Sequence, residues 1–431
     1  MGNMFTTDDY NITAIRARFP SLTIKDNNIN RIYLDNPGGT QVCKTSLDKI
    51  QDYLINNNAN RGGFFRTSID TESILLEARR AMSDFLHADS EREIVFGQNM
   101  TSLTFAIARS LAKWIQTEHE IVVTRLDHDG NISPWLQLAD ETGAKIRWID
   151  FNPKDCTLDL DDFEKTITDK TKLVAIGYAS NSVGTINPIK KIASMAHSVG
   201  ALVFVDAVQY APHAPIDVQE LDADFLVCSP YKFFGPHQGV LWGKYELLDR
   251  LPPYKVRPAE NHPPHKFETG TQSHEGQAGT LGALEHIEWI GRQFGHRHAS
   301  QFPKMTNRCL HMHCGMAAIK TYEQKLSTHL IEGLQKISEV RIYGITEIQQ
   351  LDKRVPTVSF TLKGYDPRHI AQIMGDKNIF VWDGHNYAIE TMSQLGLEKT
   401  GGMIRVGPAH YNTIEELDQL LEVLTESVVK H

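Results

Sequence analysis

Lys232 closes an apolar run, Ala223-Asp224-Phe225-Leu226-Val227-Cys228, that passes into Ser229-Pro230-Tyr231-Lys232-Phe233-Phe234-Gly235-Pro236. A second apolar run, Leu202-Val203-Phe204-Val205, delivers Asp206 and then Gln209 a short distance upstream. A lysine beyond one strand and a carboxylate at the end of the strand before it are what pyridoxal phosphate asks of a protein. The amine forms a Schiff base, and the carboxylate keeps the pyridine nitrogen protonated so that the ring can act as an electron sink. A lysine after a strand is by itself more often an exposed side chain. The neighbouring segments decide against that reading.

Four further segments fall at strand ends or in loops. Phe96-Gly97-Gln98-Asn99-Met100-Thr101-Ser102 joins a strand to a helix, and the free amides and hydroxyl of a helix N-terminus suit a phosphate as well as a plain cap. Leu126-Asp127-His128-Asp129-Gly130-Asn131 places a histidine where it could stack on a planar ring and exchange protons. In Ser180-Asn181-Ser182-Val183-Gly184-Thr185, Asn181 suits either a phenolate oxygen or an Asx turn. Glu268-Thr269-Gly270-Thr271-Gln272 sets a hydroxyl beside a glycine, again suited to a phosphate or a turn.

The elements that must hold these residues alternate. Apolar runs at Ile94–Phe96, Ile121–Thr124, Lys145–Ile149 and Lys172–Ile176 predict strands. Helical stretches are predicted at Thr101–Ile115, Pro134–Thr142 and Ile189–Val199, the last stopped by Gly200. Continuous apolar strands separated by helices predict an α/β fold with a mostly parallel sheet covered on both faces. Ligands on such sheets sit at the carboxyl ends of strands, where the polar segments fall. After the Gly/Pro/His-rich stretch 252–280, helices are expected at Leu281–Phe294, Met316–Ile337 and Thr413–Val429, with strands at Val355–Leu362, Ile379–Trp382 and Met403–Val406. The expected organisation is an N-terminal segment 1–30 packing on a small C-terminal α+β domain, 281–431, and a large cofactor domain, 31–280.

The 431 residues are 41% hydrophobic and 23% charged, ordinary for a globular chain with a large core. A net charge of −9 with no basic block argues against nucleic acid or an anionic membrane as partner. No apolar run reaches membrane-spanning length. Five cysteines without paired spacing predict reduced thiols and a cytoplasmic enzyme, and the first residues lack the pattern of a signal peptide. Gly2 and Thr6 match a minimal myristoylation pattern, which is read as chance. The cluster Gly295-His296-Arg297-His298 with Cys309-Leu310-His311-Met312-His313-Cys314 matches no standard zinc spacing and is read as surface histidines, with no metal.

Together the segments resemble the class V aminotransferase family of fold-type I pyridoxal phosphate enzymes, over almost the whole chain. The likeness runs from Arg18-Phe19-Pro20 and Tyr33-Leu34-Asp35-Asn36 to Arg405 and Tyr411-Asn412-Thr413. Within that family, which includes cysteine desulfurases, selenocysteine lyases and isopenicillin-N-epimerase-like proteins, it is strongest for the cysteine desulfurase-like group. The resemblance implies pyridoxal 5′-phosphate as cofactor, a small α-amino acid as substrate and a homodimer with the site at its interface. It implies Lys232 as the Schiff-base lysine, Asp206 at the pyridine nitrogen, Gln209 and Asn181 at the ring oxygen, and His128 stacked on the ring. Met100, Thr101, Ser229 and Thr271 join the cofactor set, Thr271 from the second subunit. Arg405 would clamp the substrate carboxylate, with Asn36, Trp382, His385 and Tyr387 on the substrate side.

The sequence also departs from that family. Desulfurases carry a histidine before the lysine, where this chain has Tyr231. Their mobile loop carries an arginine and a nucleophilic cysteine; here Trp382-Asp383-Gly384-His385-Asn386-Tyr387-Ala388 puts Trp382 and Tyr387 at those positions. A persulfide needs a thiolate. The expectation is therefore a carbon–sulfur (Cβ) lyase without the persulfide cysteine, acting through an external aldimine and a quinonoid. An aminotransferase or epimerase outcome, or a degenerate binding protein, stands as the alternative.

Overall fold

The computed structural model describes residues 10–429. The Gly2 and Thr6 pattern lies outside them. A seven-stranded sheet forms the centre, from β1 (Ile94–Gly97), β2 (Glu120–Thr124), β3 (Lys145–Ile149), β4 (Thr171–Gly177), β5 (Leu202–Asp206), β6 (Phe225–Cys228) and β7 (Gly239–Gly243). Its order is β1-β7-β6-β5-β4-β2-β3, and β7 alone runs antiparallel to its neighbours. The fold is thus mixed, mostly parallel α/β. Strands such as Phe225-Leu226-Val227-Cys228 are buried at every position because helices cover both faces.

The helix Met100–Leu111 shows how sequence sets these covers. Its buried Met100, Leu103, Thr104, Ile107, Ala108 and Leu111 recur at helical spacing, and Asn99 caps it by accepting from the Ser102 amide at 2.9 Å. A Cβ at Gly239 would lie 2.4 Å from the Asn99 backbone, so β7 passes this N-terminus with no room for a side chain.

A second, four-stranded antiparallel sheet has the order β8-β9-β11-β10, with β8 (Val340–Tyr343), β9 (Val358–Leu362), β10 (Trp382–Gly384) and β11 (Met403–Val406). Its core includes Val358, Phe360, Ile404, Leu417 and Leu420. The predicted single strand Ile379–Trp382 is two pieces: Ile379–Phe380 pairs in parallel with Ile32–Tyr33, and Trp382 opens β10 opposite Arg405.

Two long helices begin earlier than their apolar patterns suggest, at His274 and Asn307. The reason lies in packing. A Cβ on Gly291 would lie 1.7 Å from the His311 carbonyl oxygen, so these helices touch backbone to backbone. The segment 309–314 is therefore helical and largely inside, and the expected surface histidines are not all at the surface. Cys309, His313 and Cys314 are buried, and His313 bonds the Cys309 and Ile216 carbonyls at 2.9 Å each. No helix among the described residues is long and apolar enough to cross a membrane.

Candidate active site

At the carboxyl ends of β1, β2, β4, β5 and β6 lies a cavity of about 460 Å³. Its lining brings together Lys232, Asp206, Gln209, His128, Asn181, Met100, Thr101, Ser229, Arg405, Trp382 and Tyr387. Three expected residues stay outside it. Asn36 is 2% exposed and donates to the Gly407 carbonyl at 2.7 Å while accepting from the Tyr411 hydroxyl. With both ends of its amide hydrogen-bonded in the protein, it braces chain segments outside the cavity. His385 accepts from the Tyr387 amide at 3.0 Å beside the cavity. Thr271 lines a separate cavity of about 440 Å³ together with Arg61 and Glu268.

Lys232 lies in a short 3₁₀ turn, Pro230–Lys232, directly after β6, and its Nζ donates to the Pro37 carbonyl. Burial, reinforced by Arg405, lowers its ammonium to about 7, so near neutrality a large share is free amine. Asp206 ends β5, and its Oδ1 accepts from the Val208 amide at 2.9 Å. Burial raises this carboxyl to about 6, against the pull of that hydrogen bond and of Lys232. A cation held against it would restore the carboxylate.

His128 receives a hydrogen bond from the Gly130 amide at its Nδ1, 2.9 Å, which leaves the ring proton on Nε2. Burial, and then the charge of Lys232, lower it to about 4, so the ring is neutral. It stacks on Tyr387 at 5.6 Å with 17° between the planes. Gln209 donates through Nε2 to the Thr357 hydroxyl at 2.9 Å, and the same nitrogen lies 3.4 Å from His213, whose other nitrogen meets Glu323 at 2.8 Å. Arg405 donates to Asp35 at 3.1 Å and to the Asn181 carbonyl at 3.2 Å. Burial pulls its guanidinium down from the usual value while Asp35 opposes the shift.

The motif reading did not assign site roles to Asp35, Asp127, Tyr231 and Asn386, which also line the cavity. Asp127 stands beside His128, and burial raises it to about 7 while the Gly177 amide, the Thr124 hydroxyl and Asn131 hold it. Its place before His128 was a usable signal; Asn386 offered none. All five cysteines are free and buried, and none lines the cavity.

The aminotransferase class-V sequence profile matches residues 32–312 and 304–420. The chain belongs to the class-V aminotransferase family. A probable cysteine desulfurase of Streptomyces coelicolor is 33% identical, covering 95% of this chain and 96% of that protein. An aminotransferase-like protein of Gibberella zeae is 34% identical, covering 97% and 99%. The apo structure of a cysteine desulfurase from Thermococcus onnurineus superposes with a TM-score of 0.85 at 30% identity over all of both chains. A cysteine desulfurase of Escherichia coli gives 0.80 at 25% identity, over 97% of this chain and 98% of that one.

The fold is thus that of fold-type I enzymes, and the protein is an enzyme dependent on pyridoxal 5′-phosphate. The cavity fits that cofactor on its own evidence. It offers a buried amine and a buried carboxyl, a capped helix N-terminus with the Thr101 and Ser229 hydroxyls, and five buried polar atoms with no hydrogen bond among the described residues: Asn181 Oδ1, Gln209 Oε1, Arg405 Nε and both amide atoms of Asn386. Such atoms are uncommon in native interiors unless a ligand or water meets them.

Proposed function

We propose that this class-V enzyme is a cysteine desulfurase-like Cβ lyase for a small α-amino acid, working as a homodimer, and that it forms no persulfide on its own chain. When bound, pyridoxal phosphate supplies an electron sink for the pair of electrons left on the substrate Cα. Lys232 holds the cofactor and, once freed as an amine, takes the Cα proton; an ammonium already lowered to about 7 releases and accepts protons near neutral pH. Asp206 holds the pyridine nitrogen in its charged form. His128, neutral, covers the ring face and can pass a proton through Nε2.

Arg405 receives the substrate carboxylate through its planar fork, a task that a lysine performs poorly. The first-turn amides of the Met100–Leu111 helix, with Thr101 and Ser229, receive the phosphate. In a homodimer Thr271 of one protomer would serve the phosphate of the other, since it lies outside this cavity within its own chain. Gln209 and Asn181 would hold the ring oxygen.

The observation that carries the sulfur reading is the loop 382–388, where Tyr387 lines the cavity in the place of a cysteine. Burial raises the thiols of Cys43, Cys156, Cys228, Cys309 and Cys314, that of Cys156 to about 11 and of Cys309 to about 12. Thiols raised by burial and lying outside the cavity support the reading that sulfur leaving Cβ departs as sulfide or a small thiol. The Gibberella zeae relative, named aminotransferase-like, favours transamination as the second reading. Product analysis on a panel of amino acids separates them: a lyase yields pyruvate and ammonia, a transaminase needs a keto acid and returns a new amino acid. Alkylation after incubation with cysteine tests the sulfur step, and a persulfide on Cys43 would overturn it.

A further inference from the structure

Among the amide side chains that line the cavity, that of Asn386 has neither its oxygen nor its nitrogen hydrogen-bonded within the described residues. It is 4% exposed, and both Oδ1 and Nδ2 are buried without a hydrogen bond in the protein. Its position is nonetheless fixed. The Asn386 carbonyl accepts from Asn181 Nδ2 at 2.6 Å, and the Tyr387 carbonyl accepts from the Asp129 amide at 2.7 Å. Asn386 and Tyr387 both hold φ of 54°, the left-handed region that non-glycine residues enter at a cost. Strain of this kind gathers at binding sites, where the surroundings enforce it.

We propose that Asn386 selects the substrate side chain, and that the preferred substrate is a small α-amino acid whose side chain carries a neutral hydroxyl or carboxamide. This rests on the reading above of a pyridoxal phosphate enzyme for a small α-amino acid and departs from its sulfur part: a hydroxyl is the group a Cβ lyase would expel, and a carboxamide suits transamination. The groups suited to the cofactor, Lys232, Asp206, Gln209 and Asn181, come from the ends of the seven-stranded sheet. Asn386 instead comes with Trp382 and Tyr387 from the segment that follows the start of β10.

Its amide offers one acceptor and one donor group, both buried and unpaired. A side chain that satisfies this set needs an O–H or N–H together with a lone pair. A carboxylate brings no donor, a thiol hydrogen-bonds weakly, and an alkyl group does neither. A site built around buried polar atoms rejects an analogue that leaves them unpaired.

The test uses holoprotein and measures amino-acid dissociation constants from the change in cofactor absorbance, with L-serine, L-asparagine, L-cysteine and L-2-aminobutyrate as probes. Wild type is expected to bind serine or asparagine at least ~10-fold more tightly than cysteine and 2-aminobutyrate. The near-isosteric Asn386→Leu should erase that difference while the dissociation constant for pyridoxal phosphate stays within about twofold. Asn386→Ala, which removes donor and acceptor together, should erase the difference in the same way and serves if the leucine variant fails to fold. The proposal is overturned if wild type prefers cysteine or 2-aminobutyrate, or if the variants keep the wild-type ranking. It is equally overturned if they lose only cofactor affinity, which would make the cofactor the partner of Asn386. A wild-type protein that takes up no cofactor at Lys232 would instead sink the enzymatic reading itself, and this proposal with it.

Discussion

Lys232, Asp206, Gln209 and His128 stand on backbone tied into a seven-stranded sheet, and all but His128 are buried to 7% exposure or less. Trp382 and Tyr387 stand on the loop that faces them, 52% and 66% exposed. The two regions share one cavity, yet they differ in what holds them. Strand register fixes the first: β5 pairs with β4 and β6, so Asp206 lies level with Gly177 and Val227. In the second, Trp382 begins β10 in register with β11, and the segment after it, with Tyr387, is held by a few contacts: the Arg125–Glu390 ion pair, the Thr391 hydroxyl on the Arg125 carbonyl at 2.8 Å, and the Asn181 and Asp129 bonds to the loop backbone. The sheet side carries the residues suited to the cofactor, and the facing segment carries Trp382 and Tyr387. On the proposed function, activation of the amino acid belongs to the sheet side and the fate of its side chain to the facing segment.

That division breaks first on the sheet side. Lys232→Ala should lower kcat by ~10³-fold or more, because no other amine lines the cavity to move the Cα proton. Single-turnover assays of product check it, and activity within tenfold of wild type would remove the lysine from the chemistry. Next in size, Asp206→Asn should keep cofactor binding and lose about 10²-fold or more in turnover, since an amide cannot hold a pyridinium by charge. Turnover equal to wild type would make the carboxylate merely structural.

Arg405→Lys stands between the regions, on β11 opposite Trp382. It should raise KM by roughly 10- to 100-fold with kcat changed far less, because an ammonium loses the paired hydrogen bonds of the fork. Equal KM values would move the carboxylate site elsewhere. The smallest effect belongs to the thiols. Replacement of all five cysteines by alanine or serine should leave turnover within about twofold in protein whose fold circular dichroism verifies, since removal of groups outside the site costs stability and not chemistry. Loss of turnover from folded protein would bring a cysteine into the mechanism.

The sheet side was legible because its signals are local. An apolar strand, a polar strand end and a helix cap each occupy a few consecutive residues, so Lys232, Asp206, His128 and Thr101 could be placed by reading along the chain. The misreadings come from partners distant in sequence. Asn36 looks like a site residue until Gly407 and Tyr411 fold against it and use its amide. The histidines of 309–314 look exposed until the Ile216 carbonyl, 97 residues away, receives His313. The Gln209–His213–Glu323 chain likewise joins residues 110 positions apart. Asn386 escaped notice for the opposite reason, because its distinguishing property is the absence of any partner.

The most direct test of the division between sheet and loop is borohydride reduction of the holoprotein followed by peptide mass spectrometry, before and after incubation with cysteine. The account predicts a single pyridoxyl adduct, on Lys232, and no cysteine carrying extra sulfur. An adduct on another lysine, or substrate-derived sulfur on any of the five thiols, would contradict it.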